Sequence, residues 1–396
     1  MDAKLDVKSV RPAELSAEER EAWRAFRVAQ PDLASPYFDL RYILTAGEVA
    51  PHAAVAVIRR AGRIEAFLPY QRRAGLIQPM GAPLSDYHGL VAAPGAAVSL
   101  PEVLEAIGGR RLRFGGLVGA APDVPGLHAR RAMVADLGGG FDAYLERRRE
   151  AGYGGELKDK RRRACALARD HGAVEFSFGP DVGGVLELVI RLKRAQWRRT
   201  AQHDVLASQW TRELLARLSA RSDGDFGLRF ATLRAGGRVV AAEVGLMSGD
   251  AYHLWFPVYD PAFARYSPGA LMTLETLRAA AGQGMRTVDF GPMGESYKRV
   301  FADPTTLVWE GQVHTHGAFA ACWRALERWS APAPVLKEIW RSGVRRLDRI
   351  AACEPTLNGQ VGATARSVAR FGRRHSRKLA WITLAAALPL GALAFD

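Results

Sequence analysis

The chain has 396 residues, 48% of them hydrophobic, which allows two or three domains with a substantial core and excludes a largely disordered protein. Its formal charge of +14 and pI near 10.1 suit an anionic partner: a phosphate-rich cofactor, an acidic membrane surface or nucleic acid. Cys165, Cys322 and Cys353 stand far apart without metal spacing, so a reducing compartment is expected and a disulfide framework is not.

Met1 to Arg11 is charged and lacks the apolar stretch of a secretory signal, which predicts a cytoplasmic protein. Ala53 to Ile58 and Arg63 to Tyr70 read as two strands around a tight turn at Ala61-Gly62. Pro101 to Ile107 is a helix candidate, followed by a strand that ends Arg111-Leu112-Arg113-Phe114-Gly115. Phe141 to Ala151 and Glu156 to His171 are helical by composition, and Gly172 stops the second. These two helices carry the dense positive charge between Arg147 and Arg169, read as solvated faces on an inter-domain connection.

The same plan then returns. Leu228 to Leu233 and Arg238 to Met247 flank Gly236-Gly237, Pro268 to Gln283 is helical, and the next strand ends Asp289-Phe290-Gly291. The stretch from Ile58 to Ile64 (Ile-Arg-Arg-Ala-Gly-Arg-Ile) lies against that from Leu233 to Val239 (Leu-Arg-Ala-Gly-Gly-Arg-Val), which predicts two copies of one α/β unit. The expected division is 1–140, a basic connection at 141–172, a second unit at 173–318 and a helical tail at 319–396. The tail reads as an appendage, with helices over Phe319 to Trp329 and Val335 to Ile350 separated by the breaker Ala331-Pro332-Ala333-Pro334. Its last segment, Leu379 to Phe395, is uncharged and follows Arg370, Arg373, Arg374, Arg377 and Lys378. That length is near the lower limit of about 17 residues for a membrane span, and Pro389 and Gly391 interrupt it. Attachment to the cytoplasmic face of a membrane through the basic flank and a helix packed on the protein's own surface both stay open.

Several positions carry candidate chemistry. Glu243 interrupts an apolar strand whose Val240, Val244 and Leu246 share one face, so burial is expected to raise its pKa and suit it to general-base work, or an arginine to pair with it. Pro268 fits the first turn of a helix, where the backbone amides of Ser267 to Ala270 and the helix dipole favour a pyrophosphate. Asp289 to Lys298 is a turn-rich segment beyond a strand end, where α/β folds hold ligands. There Asp289 is a second candidate base, Tyr297 a candidate acid for a leaving thiolate, and Lys298 a counter-charge for phosphate or carboxylate. His314 and His316 alternate without a carboxylate neighbour and make a poor metal site, and Trp197 and Trp210 read as packing anchors.

Taken together, Tyr259-Asp260-Pro261, Tyr266-Ser267-Pro268-Gly269, Asp289-Phe290-Gly291 and Gly294 followed by Tyr297-Lys298 resemble, in this order, the CelD-like GNAT acetyltransferases, named for an association with cellulose biosynthesis. The basic run from Leu157 to Arg163 and the turn Gly81-Ala82-Pro83-Leu84-Ser85-Asp86-Tyr87 are similar to the same family, so the resemblance spans about Pro36 to Thr315. It implies an α/β fold of mixed sheets with tandem GNAT-like acyltransferase domains, as in the related FemAB-type transferases, and a helical C-terminal tail. It further implies acetyl-CoA or another acyl-CoA as co-substrate, an amine, hydroxyl or glycan acceptor, and cofactor contacts at Arg265, Tyr266, Ser267, Gly269 and Ala270. Asp86, Tyr87 and Trp197 fall on the acceptor side of this pattern. The chain departs from the usual pyrophosphate loop by placing Pro268 where a glycine is expected. An aminoacyl-tRNA donor, with Lys158 to Arg169 on its phosphates, and a catalytically inactive scaffold that recruits exopolysaccharide machinery are the competing readings.

Overall fold

Ala61 and Gly62 adopt φ of 47° and 77°, and Gly236 and Gly237 adopt 54° and 75°. Two successive positive φ values make the hairpin turn whose twist matches its strands, so the sequence places both hairpins. The computed structural model describes residues 5–73, 76–119, 121, 124, 127–200, 202–292, 296–315, 334–354 and 356–374, with side chains omitted at 334–340 and 368–374.

The first half runs β1 (Leu5–Val10), α1 (Ala17–Ala29), α2 (Leu40–Val49), β2 (Ala53–Arg60), β3 (Arg63–Arg73), β4 (Leu76–Pro79), β5 (Val91–Ala92), α3 (Leu100–Ala106), β6 (Arg111–Val118) and β7 (His128–Asp136). Then α4 (Gly140–Arg148) and α5 (Gly154–His171) cross to the second half. That half runs β8 (Val174–Gly179), α6 (Val185–Thr200), α7 (Gln209–Ala220), β9 (Phe226–Ala235), β10 (Arg238–Ser248), β11 (Ala251–Tyr259), α8 (Pro268–Gly282), β12 (Thr287–Asp289) and β13 (Asp303–His314). Helices α9 (Pro334–Cys353) and α10 (Leu357–Arg374) follow.

Apart from the short β5, which pairs with β3, the strands form one path in the order β1-β2-β3-β4-β6-β13-β7-β12-β11-β10-β9-β8. The two ends of this path mirror each other. In each half an antiparallel run built around a hairpin ends in one parallel pair, β4 with β6 and β11 with β12. The closing strands are exchanged, because β13 pairs with β6 of the first half and β7 pairs with β12 of the second. The mixed α/β architecture is therefore one continuous sheet.

Local chemistry fixes the helices. Ser16 caps α1 with Glu19 as its reciprocal partner, Asp39 accepts the Arg41 amide at the start of α2, and Gly172, at φ 93°, ends α5. Val55, Val57 and Phe67 pack with Trp23 and Ile43 on one face of the sheet, while Ala56, Ile58, Ala66 and Leu68 pack with Val103 and Leu104 on the other. Leu214, Leu228, Val244 and Leu246 belong to the same core as Trp23, so α1, α2, α6 and α7 share one apolar layer.

Several expectations need correction. The first connecting helix stops at Arg148, where a wide turn over Arg149–Tyr153, with Gly152 at φ 92°, breaks it. Strand β6 continues beyond Phe114-Gly115 to Val118, because β13 pairs with it that far. A bulge between Val239 and Ala241 sends Val240 to pack with Ala231 and Leu233, away from Val244 and Leu246. Helix α9 is no appendage: Arg73 and Gln78 donate to its Ala352 and Asp348 carbonyls, Ser208 donates to its Cys353 carbonyl, and Arg345 pairs with Glu310. Residues 319–329 and 379–395, including Cys322, lie outside the described residues.

Strand β10 slips register against β11 between Val244 and Gly245. A Cβ on Gly245 would lie 2.3 Å from the Tyr252 hydroxyl and 2.5 Å from the His253 carbonyl oxygen. Gly245→Ala should therefore lower the unfolding free energy by about 1–3 kcal/mol in urea titration. An unchanged midpoint would show that this close approach is not required.

Candidate active site

The parallel pair β11 and β12 matches only Ala251 to His253 against Thr287 to Asp289. Beyond those three residues the strands part, and a cavity of about 660 Å³ opens between them. Leu254 to Tyr259 form one wall, Phe290 to Pro292 another, and the first turn of α8 closes one end at Ser267 to Ala270. The turn after β4, helix α6 and α9 contribute Asp86, Trp197 and Arg349 respectively.

Glu243 is fully buried at the cavity's inner edge. Its Oε1 accepts from the Tyr252 hydroxyl at 3.2 Å, while Oε2 is buried with no hydrogen-bond partner. Burial pushes its carboxyl up from 4.5 to about 8, against a smaller opposing effect from Tyr252. No arginine pairs with it among the described residues.

One strand position later than Tyr252, His253 joins the two halves. Its Nε2 lies 2.9 Å from Asp86 Oδ2 and its Nδ1 lies 3.8 Å from Asp289 Oδ1. Burial works against the imidazolium, but Asp289 and Asp86 outweigh it and hold His253 up at about 9. Burial likewise opposes the Asp86 carboxylate, and His253, Lys298 and Arg349 together keep it below the usual range. Asp289 Oδ1 also accepts from the Tyr87 hydroxyl at 2.9 Å and from the Gly291 amide at 2.6 Å. Gly291 has φ 81° and a Cβ there would sit 3.2 Å from Asp86 Oδ2, which explains the glycine of the Phe-Gly pair. The rings of Tyr37 and Tyr87 stand edge-on to His253 at 5.0 and 5.7 Å.

Of the residues singled out in the sequence, Asp86, Trp197, Glu243, Ser267, Gly269, Ala270, Tyr297 and Lys298 line the cavity. Tyr87 and Asp289 support it through the His253 network. Lys298 is buried and donates to the Phe290 carbonyl at 2.6 Å, whereas Tyr297 is half exposed. Arg265 and Tyr266 do not line it: Tyr266 is buried against α5 with its hydroxyl on Asp170 at 2.8 Å, and Arg265 pairs with Asp170 on the surface. The amides at the α8 start are also fewer than expected. Ser267 donates to Ala264 and Ala270 donates back to Ser267, and Pro268 has no N–H, which leaves Gly269 to face a ligand. Gly294 and His316 lie outside the described residues.

His253, Tyr252, Tyr37 and Arg349 escape sequence reasoning. The first two are single polar positions in an aromatic strand, Tyr-His-Leu-Trp-Phe, whose partners are 9 to 167 residues away in the chain. Arg349 reaches the site only through the packing of α9.

Residues 156–299 match the model of the acetyltransferase (GNAT) domain. The matched GNAT segment contains Glu243, His253, the α8 start, Asp289 and Lys298, while Asp86, Tyr87 and Arg349 come from outside it. No curated protein matches the chain. Among solved structures, the chain is similar to a tandem GNAT protein from the clavulanic acid biosynthesis pathway, at 11% identity and a TM-score of 0.48, covering 80% of this chain and 100% of that one. It is similar to FemX at 12% identity and 0.48, covering 81% and 100%. A third likeness is the C-terminal domain of a putative lysylphosphatidylglycerol synthetase from Agrobacterium fabrum, at 14% and 0.45, covering 78% and 95%. Among the described residues no helix is long and apolar enough to cross a membrane.

With its pKa raised from 4.5 to about 8, Glu243 keeps in the native state a proton that the unfolded chain releases. Its contribution to stability is full below the unfolded pKa and is lost as pH rises through the folded one. Urea unfolding at pH 5 and pH 8 should show a larger loss for the parent than for Glu243→Gln, by on the order of 2–4 kcal/mol. The same pH dependence in both proteins would contradict the buried neutral carboxyl.

Proposed function

We propose that the chain is an acyltransferase that moves an acetyl or longer acyl group from acyl-CoA to an amine or hydroxyl. The observation that carries this reading is the cavity between the parted strands β11 and β12, closed by the α8 start and lying largely within the matched GNAT segment. The donor's phosphates sit at Gly269 and the positive end of α8, and the acyl thioester runs inward toward Glu243. The acceptor enters between the halves beside Asp86, Tyr87 and Trp197. In its ionised form, which gains population as pH rises toward 8, Glu243 takes the proton released by the attacking nitrogen or oxygen, since its Oε2 is unpaired at the cavity edge while Asp289 is held by Tyr87, Gly291 and His253. Tyr297 protonates the departing thiolate, and Lys298 steadies the turn that carries it.

The repeated element order supports a division into two GNAT-like units joined by the basic helices, with the last strand of each exchanged. A CelD-like role in exopolysaccharide or cell-envelope biosynthesis, with a glycan acceptor, fits the motif order. In this reading the protein works in the cytoplasm, held at the inner face of the membrane by its C-terminal segment. The exposed cations of α5, among them Lys158, Arg161 and Arg169, favour one competing donor, an aminoacyl-tRNA.

Calorimetry with acetyl-CoA and a longer acyl-CoA separates these readings. The parent should bind one of them, and Gly269→Asp should weaken that binding by about tenfold or more, because a carboxylate at the helix start repels phosphate. With an acceptor in hand, Glu243→Gln should lower kcat by about 10²- to 10⁴-fold. Absence of binding to any acyl-CoA, with salt-dependent binding of charged tRNA, would overturn the reading in favour of the aminoacyl donor. Absence of both would favour the inactive scaffold.

A further inference from the structure

A second cavity, of about 710 Å³, lies on the other side of α8, between that helix, α5 and strands β8 and β9. Gly269, Ala270 and Thr273 of α8 face the first cavity, whereas Leu271, Leu274 and Arg278 face the second, and the two share no lining residue. The floor of the second is apolar: Leu145, Leu157, Leu233, Leu271 and Leu274 are buried, and Phe176 is partly exposed.

The rim is cationic, with Arg149, Lys158, Lys160, Arg161 and Arg278 set against Glu275. Three of the cations are already paired, Arg278 with Glu275 at 2.7 Å, Arg149 with Glu146 at 2.6 Å and Lys160 with Asp159 at 3.6 Å. Lys158 and Arg161 are exposed and, among the described residues, take part in no ion pair. A solvated helix face explains exposed cations but not a hollow with an apolar floor behind them. A groove for single-stranded nucleic acid stacks bases on aromatic rings, and among the described residues that line this cavity only Phe176 is aromatic. The volume falls in the range of small-molecule sites, about 300–1,000 Å³.

We propose that this cavity binds a single-chain anionic lipid, with its acyl chain on the leucine floor and its phosphate between Lys158 and Arg161. The site is separate from the acyl-transfer cavity, so its test does not depend on the enzyme reading. Gly152, in the turn before α5, and Gly154 and Gly155, in its first turn, also line the cavity.

Calorimetric titration of the full chain with monomeric lysophosphatidic acid tests the proposal, with lysophosphatidylcholine as the neutral-headgroup control. Binding should be at least tenfold tighter for the anionic lipid. Lys158→Glu combined with Arg161→Glu, at two exposed positions, should weaken it at least tenfold. Ala164→Trp, which fills the cavity without changing charge, should do the same while the urea midpoint of unfolding stays close to the parent's. Equal affinity for the two lipids, or parental affinity in either variant, would overturn the proposal. So would displacement of the lipid by millimolar inorganic phosphate, which would reduce the site to a phosphate contact, or by a short RNA, which would assign the basic face of α5 to nucleic acid.

Discussion

The charge on His253 is the interaction around which the site is organised. A fully buried imidazolium is costly unless opposite charge surrounds it. Here the two carboxylates come from different halves of the chain, Asp86 from the turn after β4 and Asp289 from the end of β12. Breaking either contact leaves a buried charge with one partner, so the arrangement favours the two halves meeting in one register. Tyr87 and Gly291 complete the same network, which ties the exit of β12 to the neighbouring turn of the first half. The walls of the cavity follow from that link.

The exchange of β7 and β13 gives the same register a second support. Each strand leaves its own half and adds to the other, and the two pair with each other at the centre of the sheet. Glu310 on β13 takes Arg130 of β7 and Arg345 of α9, so a tail helix is clamped at the place where the halves meet. Arg349, one turn further along α9, is thereby brought to the cavity beside Asp86. The fold thus builds a site from the first half, the second half and the tail, although the matched GNAT segment covers only 156–299.

Much of this was legible locally. Turn glycines, caps and stop signals are properties of a few neighbouring residues, which is why both hairpins, the end of α5 at Gly172 and the start of α8 at Pro268 could be read directly. Glu243 was legible because a lone carboxylate in an apolar strand is anomalous within its own segment. His253 was not, since its role depends on two carboxylates from distant turns. Arg265 and Tyr266 misled for the complementary reason: they flank the helix start in sequence, but the turn over Pro261–Tyr266 directs them to Asp170 on α5. The tail read as an appendage because its buried contacts with Arg73, Gln78 and Ser208 leave no periodic trace in those segments.

The most direct measurement is the ionisation of His253, followed by NMR of protein labelled at histidine, in the parent and in Asp86→Asn. A clamped imidazolium stays protonated through neutral pH and titrates near 9, and loss of the Asp86 charge moves that titration down. A His253 that is neutral at pH 7 in the parent, or one that ignores the loss of Asp86, would contradict the claim that this ion pair joins the two halves around one site.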